Sequence, residues 1–366
     1  MACRIAHLCY AGPSGASAVA LNIAGGSDQP MRHAFVLLGR CDVHPDHART
    51  LDGLGCAWQA VGKRSRWDLA CYTRAAKALV AMAPEVAVFH GLRTLPVMWA
   101  LGRDRSAIRR IVMVHTAPEL LNPWGWRQVA GRAMKSANAA VAVSEAQKHW
   151  LASTPPMSRF AGKLCHIPNG LDVDFWRGQV RPPTHRPTRL AMVGSLVPAK
   201  DHGTLLEAVG KLTADGYDLR LTLVGDGPLR GELAAMADRV GLAGRVTFAG
   251  TMGPDGVRNV LRETDLYVHA SRAESFGLAA AEAMLAGVGV VASRSAGMAE
   301  LLEDGALGRL TAPGDPQALA AGIRDLIDNP VEAGRRATDA QIRAFRAFDR
   351  RRMSRDIEAL ADSLVG

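Results

Sequence analysis

The chain has 366 residues, 48% of them apolar, and a formal net charge of +9. This length leaves ample room for two domains, and the composition excludes a disordered or fibrous chain. Its six cysteines (Cys3, Cys9, Cys41, Cys56, Cys71, Cys165) hold no Cys-x-x-Cys pair, which argues against a disulfide frame or a zinc site, and no apolar run is long enough to span a bilayer.

Short apolar runs alternate with helical periodicity from end to end, the pattern of a parallel-sheet α/β architecture. The first strand is expected over Arg4–Cys9. His7 and the turn Gly12-Pro13-Ser14-Gly15 interrupt the apolar stretch, so it reads as a strand and not as a signal peptide. A cytoplasmic protein is therefore expected. Further strands are expected over His33–Leu38, Val86–Phe89, Ile111–Val114, Ala139–Val143 and Leu164–Ile167, with helices over Trp67–Met82 and Arg127–Ser136 among them. Ser144 with Gln147 forms a capping box, so Val143-Ser144 is a strand-to-helix turn.

Residues 178–188 are Pro-rich and aperiodic, as a linker is. The alternation then restarts with Arg189–Val193, Leu219–Val224, Arg245–Phe248, Leu266–Ala270 and Val288–Ala292, which implies two doubly wound domains with a site at strand carboxyl ends in a cleft between them. A final basic amphipathic helix is expected over Ala344–Val365. The domains are read as 1–180, 189–345 and a terminal helix 346–366. Charge divides unevenly: residues 1–187 carry 23 Lys/Arg and 11 Asp/Glu, residues 188–366 carry 21 and 24. The basic half suits an anionic membrane surface or a phosphate-bearing acceptor, and also an ordinary solvated face. Nucleic acid is disfavoured, because aromatic residues are few and no nucleic-acid module matches.

Several motifs sit where a parallel sheet would use them. The Gly12–Gly15 turn follows the first strand, and Gly225-Asp226-Gly227-Pro228 follows Leu219–Val224 with Pro228 placed for a first helical turn. Neither completes a dinucleotide fingerprint, which disfavours a dehydrogenase. Lys200 lies between a strand and a helix beginning near Asp201, where an ammonium could reach a diphosphate or simply face solvent. His115 ends a strand ahead of Pro123-Trp-Gly-Trp-Arg127 and is a candidate site residue. Asp172/Asp174 and His44/His47 read as loop polar groups.

The most informative stretch is Glu274-Ser275-Phe276-Gly277-Leu278 through Glu282. Glu274 lies in a loop, Gly277 opens a short helix over Leu278–Ala286 whose start can hold phosphate, and Glu282 projects from Ala, Leu and Met. A buried carboxylate there needs donors, which sugar hydroxyls or a nearby arginine could supply.

Taken together these motifs resemble the family-4 retaining glycosyltransferases. The matching residues include Gly12–Gly15, His115, Val141-Ala-Val-Ser144, Ile167-Pro-Asn-Gly-Leu-Asp172, Val193–Lys200, Leu223–Pro228, Val246–Gly250, Glu274…Glu282 and Ala296–Glu300. The resemblance implies a GT-B fold: two Rossmann-like parallel-sheet domains facing across a cleft, the last helix crossing back to the first. It implies transfer of a hexose, with retention and without a metal or cofactor, from a nucleotide diphosphate-sugar to a glycan, lipid-linked or small-molecule acceptor, as in bacterial cell-surface polysaccharide or glycoconjugate synthesis. By the same resemblance Glu282 would hold the ribose, and Glu274 would contact the sugar. Ser275, Phe276, Gly277 and Leu278 would offer amides, and Lys200 would meet the diphosphate beside Gly225. Gly15 would close on it, and His115 would sit by the transferring sugar. Ser195 stands where the family has an arginine, so Arg230 or Arg272 is a candidate substitute. Ala296-Gly297 also stands where Gly-Gly is expected. Alternatives are a non-catalytic nucleotide-sugar-binding or scaffold protein, or an epimerase or phosphorylase of the same fold. A place on the inner face of the cytoplasmic membrane is expected from the charge, Trp124/Trp126, Arg103, Arg105, Arg109 and Arg110.

Overall fold

The computed structural model describes residues 4–12, 14–39, 43–65, 67–102, 108–121, 124–183 and 188–366. Cys3, Pro13, Cys41, Arg103, Arg105, Pro123 and linker residues 184–187 lie outside the described residues. The chain divides into two compact units, Met1–Asp172 with Phe348–Gly366, and Val173–Ala347.

The first unit is built on β1 (Ile5–Tyr10), β2 (His33–Gly39), β3 (Ala57–Gly62), β4 (Val86–His90), β5 (Arg109–Val114), β6 (Ala139–Ala142) and β7 (Leu164–His166). They form a seven-stranded sheet in the order β3-β2-β1-β4-β5-β6-β7, and every pairing is parallel. Helices cover both faces, so inner strands such as β4 are buried along their whole length and read as unbroken apolar runs. The order reverses between β1 and β4, the switch point at which open α/β sheets leave a crevice.

The second unit repeats the plan with β8 (Thr188–Val193), β9 (Leu219–Val224), β10 (Val246–Gly250), β11 (Leu266–His269), β12 (Gly289–Ser293) and β13 (Arg309–Thr311). Its six parallel strands run β10-β9-β8-β11-β12-β13, reversing between β8 and β11.

The expected strands are present, most with ends shifted by a residue or two, and β3 and β13 are additional. β3 is an edge strand whose residues are mostly exposed, and β13 has only three residues, so neither leaves an apolar signature. The helix expected from Trp67 begins at Ala70, because the Asp68 carboxylate accepts from the Cys71 amide at 3.2 Å and ends the preceding turn. Ser144 caps as expected, accepting from Gln147 N at 3.2 Å, while Gln147 Oε1 accepts from Val143 N at 2.9 Å. Cys9, Cys56, Cys71 and Cys165 are all free thiols.

The single terminal helix expected over Ala344–Val365 is instead two helices, Pro330–Ala347 and Arg350–Val365. Asp349 breaks it by capping the second helix, its carboxylate accepting from Arg351 N at 2.8 Å. The break is pinned by backbone bonds from Leu171 N to Phe348 O (2.7 Å) and from Arg350 N to Leu171 O (2.9 Å). Helix Arg350–Val365 thus packs on helix Gly15–Gly26 within the first unit.

Gly170 is required there. A Cβ on it would lie 2.5 Å from Arg350 Cα and 2.9 Å from Met353 Cβ, too close for atoms that cannot swing away. Gly170→Ala is expected to cost about 1–3 kcal/mol by overpacking, read as a fall of roughly 2–10 °C in the thermal unfolding midpoint. An unchanged midpoint would show that the last helix does not depend on this contact.

Candidate active site

In the second unit the switch point lies between the carboxyl ends of β8 and β11, and the predicted residues gather in the loops that follow them. Lys200 ends a short turn after β8, and Glu274 lies five residues beyond β11. Their side chains form an ion pair, Lys200 Nζ to Glu274 Oε2, at 2.7 Å. The same oxygen accepts from His269 Nε2 at 3.1 Å. His269 is buried, and its Nδ1 faces the Tyr267 hydroxyl at 3.3 Å. Because side chains alternate along a strand, Tyr267 and His269 share one face of β11 and form a polar file leading to Glu274.

Burial alone would raise the Glu274 carboxyl, but the His269 hydrogen bond and the Lys200 ammonium outweigh it and hold the group at about 2. Glu274 is therefore a carboxylate at any working pH and no proton donor. His269 is pushed down by burial, against the pull of Glu274, so it is neutral and its Nε2–H is committed to the carboxylate. The Glu274 loop is fixed from behind by a bond from Gly297 N to Glu274 O at 3.1 Å. A Cβ on Gly297 would meet the backbone of residues 274–276 at 2.5–2.7 Å, which explains why a glycine persists there although Ala296 precedes it.

Gly277 follows with φ +93°, a left-handed conformation that turns the chain into helix Leu278–Leu285. No side chain caps this helix start, which leaves its first amides open to a ligand. Ser275 and Phe276 are buried beside it. Glu282, one turn into the helix, makes no ion pair with arginine among the described residues. Although the residue keeps some exposure, its carboxyl group is buried enough to be pushed up to about 8.

Gly225 (φ +135°) brings the turn after β9 hard against Gly194, next to the exposed Ser195. The two candidate cations separate. Arg272 donates from Nε to Asp201 Oδ2 at 2.7 Å, one residue from Lys200. Arg230 lies over the Phe248 ring, 6.0 Å from its centroid, and donates to the Phe248 carbonyl at 3.4 Å.

In the first unit, Gly15 opens helix Gly15–Gly26 behind the Ser14 cap, and His115 follows β5. Burial holds the His115 imidazole down at about 4. Gln147 secures the loop behind it, donating from Nε2 to the Thr116 carbonyl at 2.8 Å. The discounted acids have structural partners: Asp172 pairs with Arg350 at 2.7 Å and Asp174 with Arg177 at 3.6 Å. His44 caps helix Pro45–Gly53. Sequence reasoning missed His269 and Tyr267. Their signal was two polar side chains at i and i+2 in an apolar strand, ending five residues before Glu274.

Two family models cover nearly the whole chain in succession: "Glycosyltransferase Family 4" over residues 13–175 and "Glycosyl transferases group 1" over residues 174–343. The chain belongs to the family-4 glycosyltransferases. Over 183 residues it is 32% identical to a glycogen synthase of Mycobacterium tuberculosis, covering 50% of this chain and 44% of that one. Over 200 residues it is 32% identical to a phosphatidyl-myo-inositol mannosyltransferase of the same organism, covering 52% and 50%. The chain thus spans about half the length of the curated relatives it matches. The solved structure of Anabaena HepE in complex with UDP and glucose superposes with a TM-score of 0.82 at 23% identity, over 99% of this chain and 100% of that one. A sucrose-phosphate synthase from Thermosynechococcus elongatus gives 0.80 at 18% identity, over 99% of each. The fold is GT-B.

Glu282 is electrostatically out of the ordinary. An acid whose folded value is raised to about 8 keeps its proton while the unfolded chain, near the ordinary carboxyl value of 4.5, has lost it. Its contribution to stability is therefore full below 4.5 and is lost as pH rises toward 8. Glu282→Gln should remove this dependence and stabilise the ligand-free protein by up to about 4 kcal/mol at pH 8 and little at pH 4.5. Calorimetric midpoints at the two pH values check it; equal gains at both would refute burial as the cause.

Proposed function

We propose that the protein is a retaining glycosyltransferase that moves a hexose from a nucleotide diphosphate-sugar to a glycan, lipid-linked or small-molecule acceptor. The observation that carries this reading is the Lys200–Glu274–His269 cluster beside an uncapped helix start at the switch point of the second sheet. An ammonium and free amides are what a departing diphosphate requires. Lys200 has three donors and uses one on Glu274, so it can meet a phosphate without releasing the carboxylate. Leaving-group charge is met here by chain groups, which is why we propose transfer without a metal or other cofactor.

Glu274, fixed as an anion, stabilises positive charge developing on the sugar and orients its hydroxyls. The diphosphate leaves from one face of the sugar and its freed oxygen takes the proton of an acceptor hydroxyl that enters on that same face, so the bond broken and the bond formed share a face and the configuration is retained. Glu282 takes the ribose hydroxyls, whose donors fit a buried carboxyl group. Arg272 supplies the cation that Ser195 does not, because its side chain is 62% exposed and is held by Asp201 beside Lys200. His115 and the Gly15 helix start serve the first unit's acceptor side.

UDP-glucose is the first donor to test, because HepE, of the same fold, was solved with UDP and glucose. Thermal shift across UDP-, GDP-, ADP- and dTDP-sugars should single out one base, since a ligand that binds only the folded state raises its midpoint. With that donor and an acceptor panel, free nucleoside diphosphate should appear only when an acceptor is present. Glu274→Gln should cut the rate by about 10²–10³-fold with donor binding retained. A wild-type protein that binds a donor yet transfers to nothing would favour the scaffold reading.

We further propose that the first unit rests on an anionic membrane. Trp124 and Trp126 are 77% and 45% exposed on helix Trp124–Ser136. Beside them a concavity of about 460 Å³ is lined by Arg127, Gln128, Pro155, Pro156 and Arg159. Aromatic rings with arginines suit the interface of a bilayer. Sedimentation with anionic liposomes should be strong at low salt, weak at high salt and reduced by Trp124→Ala with Trp126→Ala. Equal recovery with neutral liposomes would sink this proposal.

A further inference from the structure

β11 carries a histidine where an aliphatic side chain would pack as well. The strand lies inside the second sheet, between β8 and β12, and His269 stands opposite Ala292 of β12. Burying the imidazole there costs desolvation that leucine or valine would avoid. Packing alone does not call for it.

Glu274 receives both of its side-chain donors on one oxygen. Lys200 Nζ and His269 Nε2 lie 2.7 and 3.1 Å from Oε2, and Oε1 has no partner among the described residues. The Glu274 side chain keeps 16% exposure and its Oε1 is not enclosed, so this is the oxygen open to a ligand. The two donors differ in what they can fix. Lys200 is 27% exposed and ends a flexible four-carbon stem, so its ammonium supplies charge with little direction. The His269 ring is rigid, buried and tethered at its far nitrogen by the Tyr267 hydroxyl at 3.3 Å. Tyr267 is itself fully buried and reaches the Val193 carbonyl of β8 at 3.4 Å.

The acceptor decides which nitrogen carries the proton. Glu274 is ionised and only accepts, so Nε2 of the neutral ring donates to it and Nδ1 accepts from Tyr267. Glu282 stands near Tyr267, and His202 stands near His269 and Lys200. Burial leaves both uncharged at pH 7, and neither hydrogen-bonds to the file among the described residues.

We propose that His269 is the positioning residue of Glu274: it holds Oε2 through Nε2–H and so presents Oε1 to the hydroxyls of the donor sugar. The inference rests on the reading of Glu274 as the residue that contacts that sugar. Lys200 is then free to turn toward the diphosphate, because the direction of the carboxylate is set by the ring.

Three substitutions separate positioning from packing. His269→Leu fills the space without an N–H. His269→Gln places its amide nitrogen near the position of Nε2, whereas His269→Asn reaches only as far as Nδ1. With the donor singled out by thermal shift, His269→Leu and His269→Asn should lower kcat about 10²-fold and leave the donor Kd within about threefold. His269→Gln should recover most of that rate. In a Glu274→Ala background, His269→Leu should cost no further rate, because the two residues act as a unit. Equal losses in the Gln and Asn variants, or an undiminished loss on top of Glu274→Ala, overturn the proposal and leave His269 a packing residue. If His269→Leu does not fold, the Gln and Asn pair decides alone. Histidine-selective nitrogen-15 NMR at pH 8, with His269→Gln to assign the signal, checks the bond without substrate. His269 should be protonated on Nε2, and a proton on Nδ1 overturns the proposal. A wild type that shows Nε2–H yet transfers no sugar overturns the transfer reading, and the positioning role with it, while the bond to Glu274 stands.

Discussion

A carboxylate set at the carboxyl end of a parallel sheet must be held ionised by its neighbours, and the second unit is organised around doing so for Glu274. Desolvation would protonate it, so the ion stays only because Lys200 and His269 converge on one oxygen. Lys200 comes from the loop after β8 and His269 from β11, the two strands at which the sheet order reverses. The Rossmann-like order is therefore what brings the ammonium and the imidazole to the same oxygen. The Gly297 amide and the left-handed Gly277 then fix where that oxygen sits relative to the helix start.

Both units use the period of two along a strand to run polar groups through an apolar sheet. In β11 it aligns Tyr267 with His269, which reaches Glu274 in the loop beyond; in the first sheet it aligns His33, His7 and His90 from three strands with His115 just after a fourth. Burying imidazoles this way costs desolvation that aliphatic side chains would avoid, and the buried rings of His7, His33, His90 and His269 each have a partner at both nitrogens. The two rows differ in their anchors. Glu274 lies in the loop beyond β11 and ends its row, whereas Glu358 lies on the last helix and begins one that ends at His115.

Much of this was legible in the sequence wherever one element carried the whole signal. β9 matched its expected span, and the Glu274–Glu282 spacing marked the helix start, because both are set by local pattern. What escaped depends on partners distant in sequence. His33 and Glu358 are 325 residues apart, and a histidine inside an apolar run reads only as an interruption until strand order makes it a neighbour. The break at Asp349 escaped for the same reason: the chain carries helical periodicity through it, and the competing bonds come from Leu171.

Ser195 leaves the turn after β8 without a charge at that position. The cations to compare are Arg272, which Asp201 holds one residue from Lys200, and Arg230. Arg272 is the exposed partner of this pair and Asp201 the covered one, and Asp201 keeps the Thr204 hydroxyl as a second donor, so a guanidinium that swings to a phosphate does not leave the carboxylate without a hydrogen bond. Arg230 is differently placed: it is held against the Phe248 ring and carbonyl at the edge of the sheet, and moving it would forfeit both contacts. The cation with the freer side chain is therefore the one beside the lysine, set by the same β8 loop that carries Lys200.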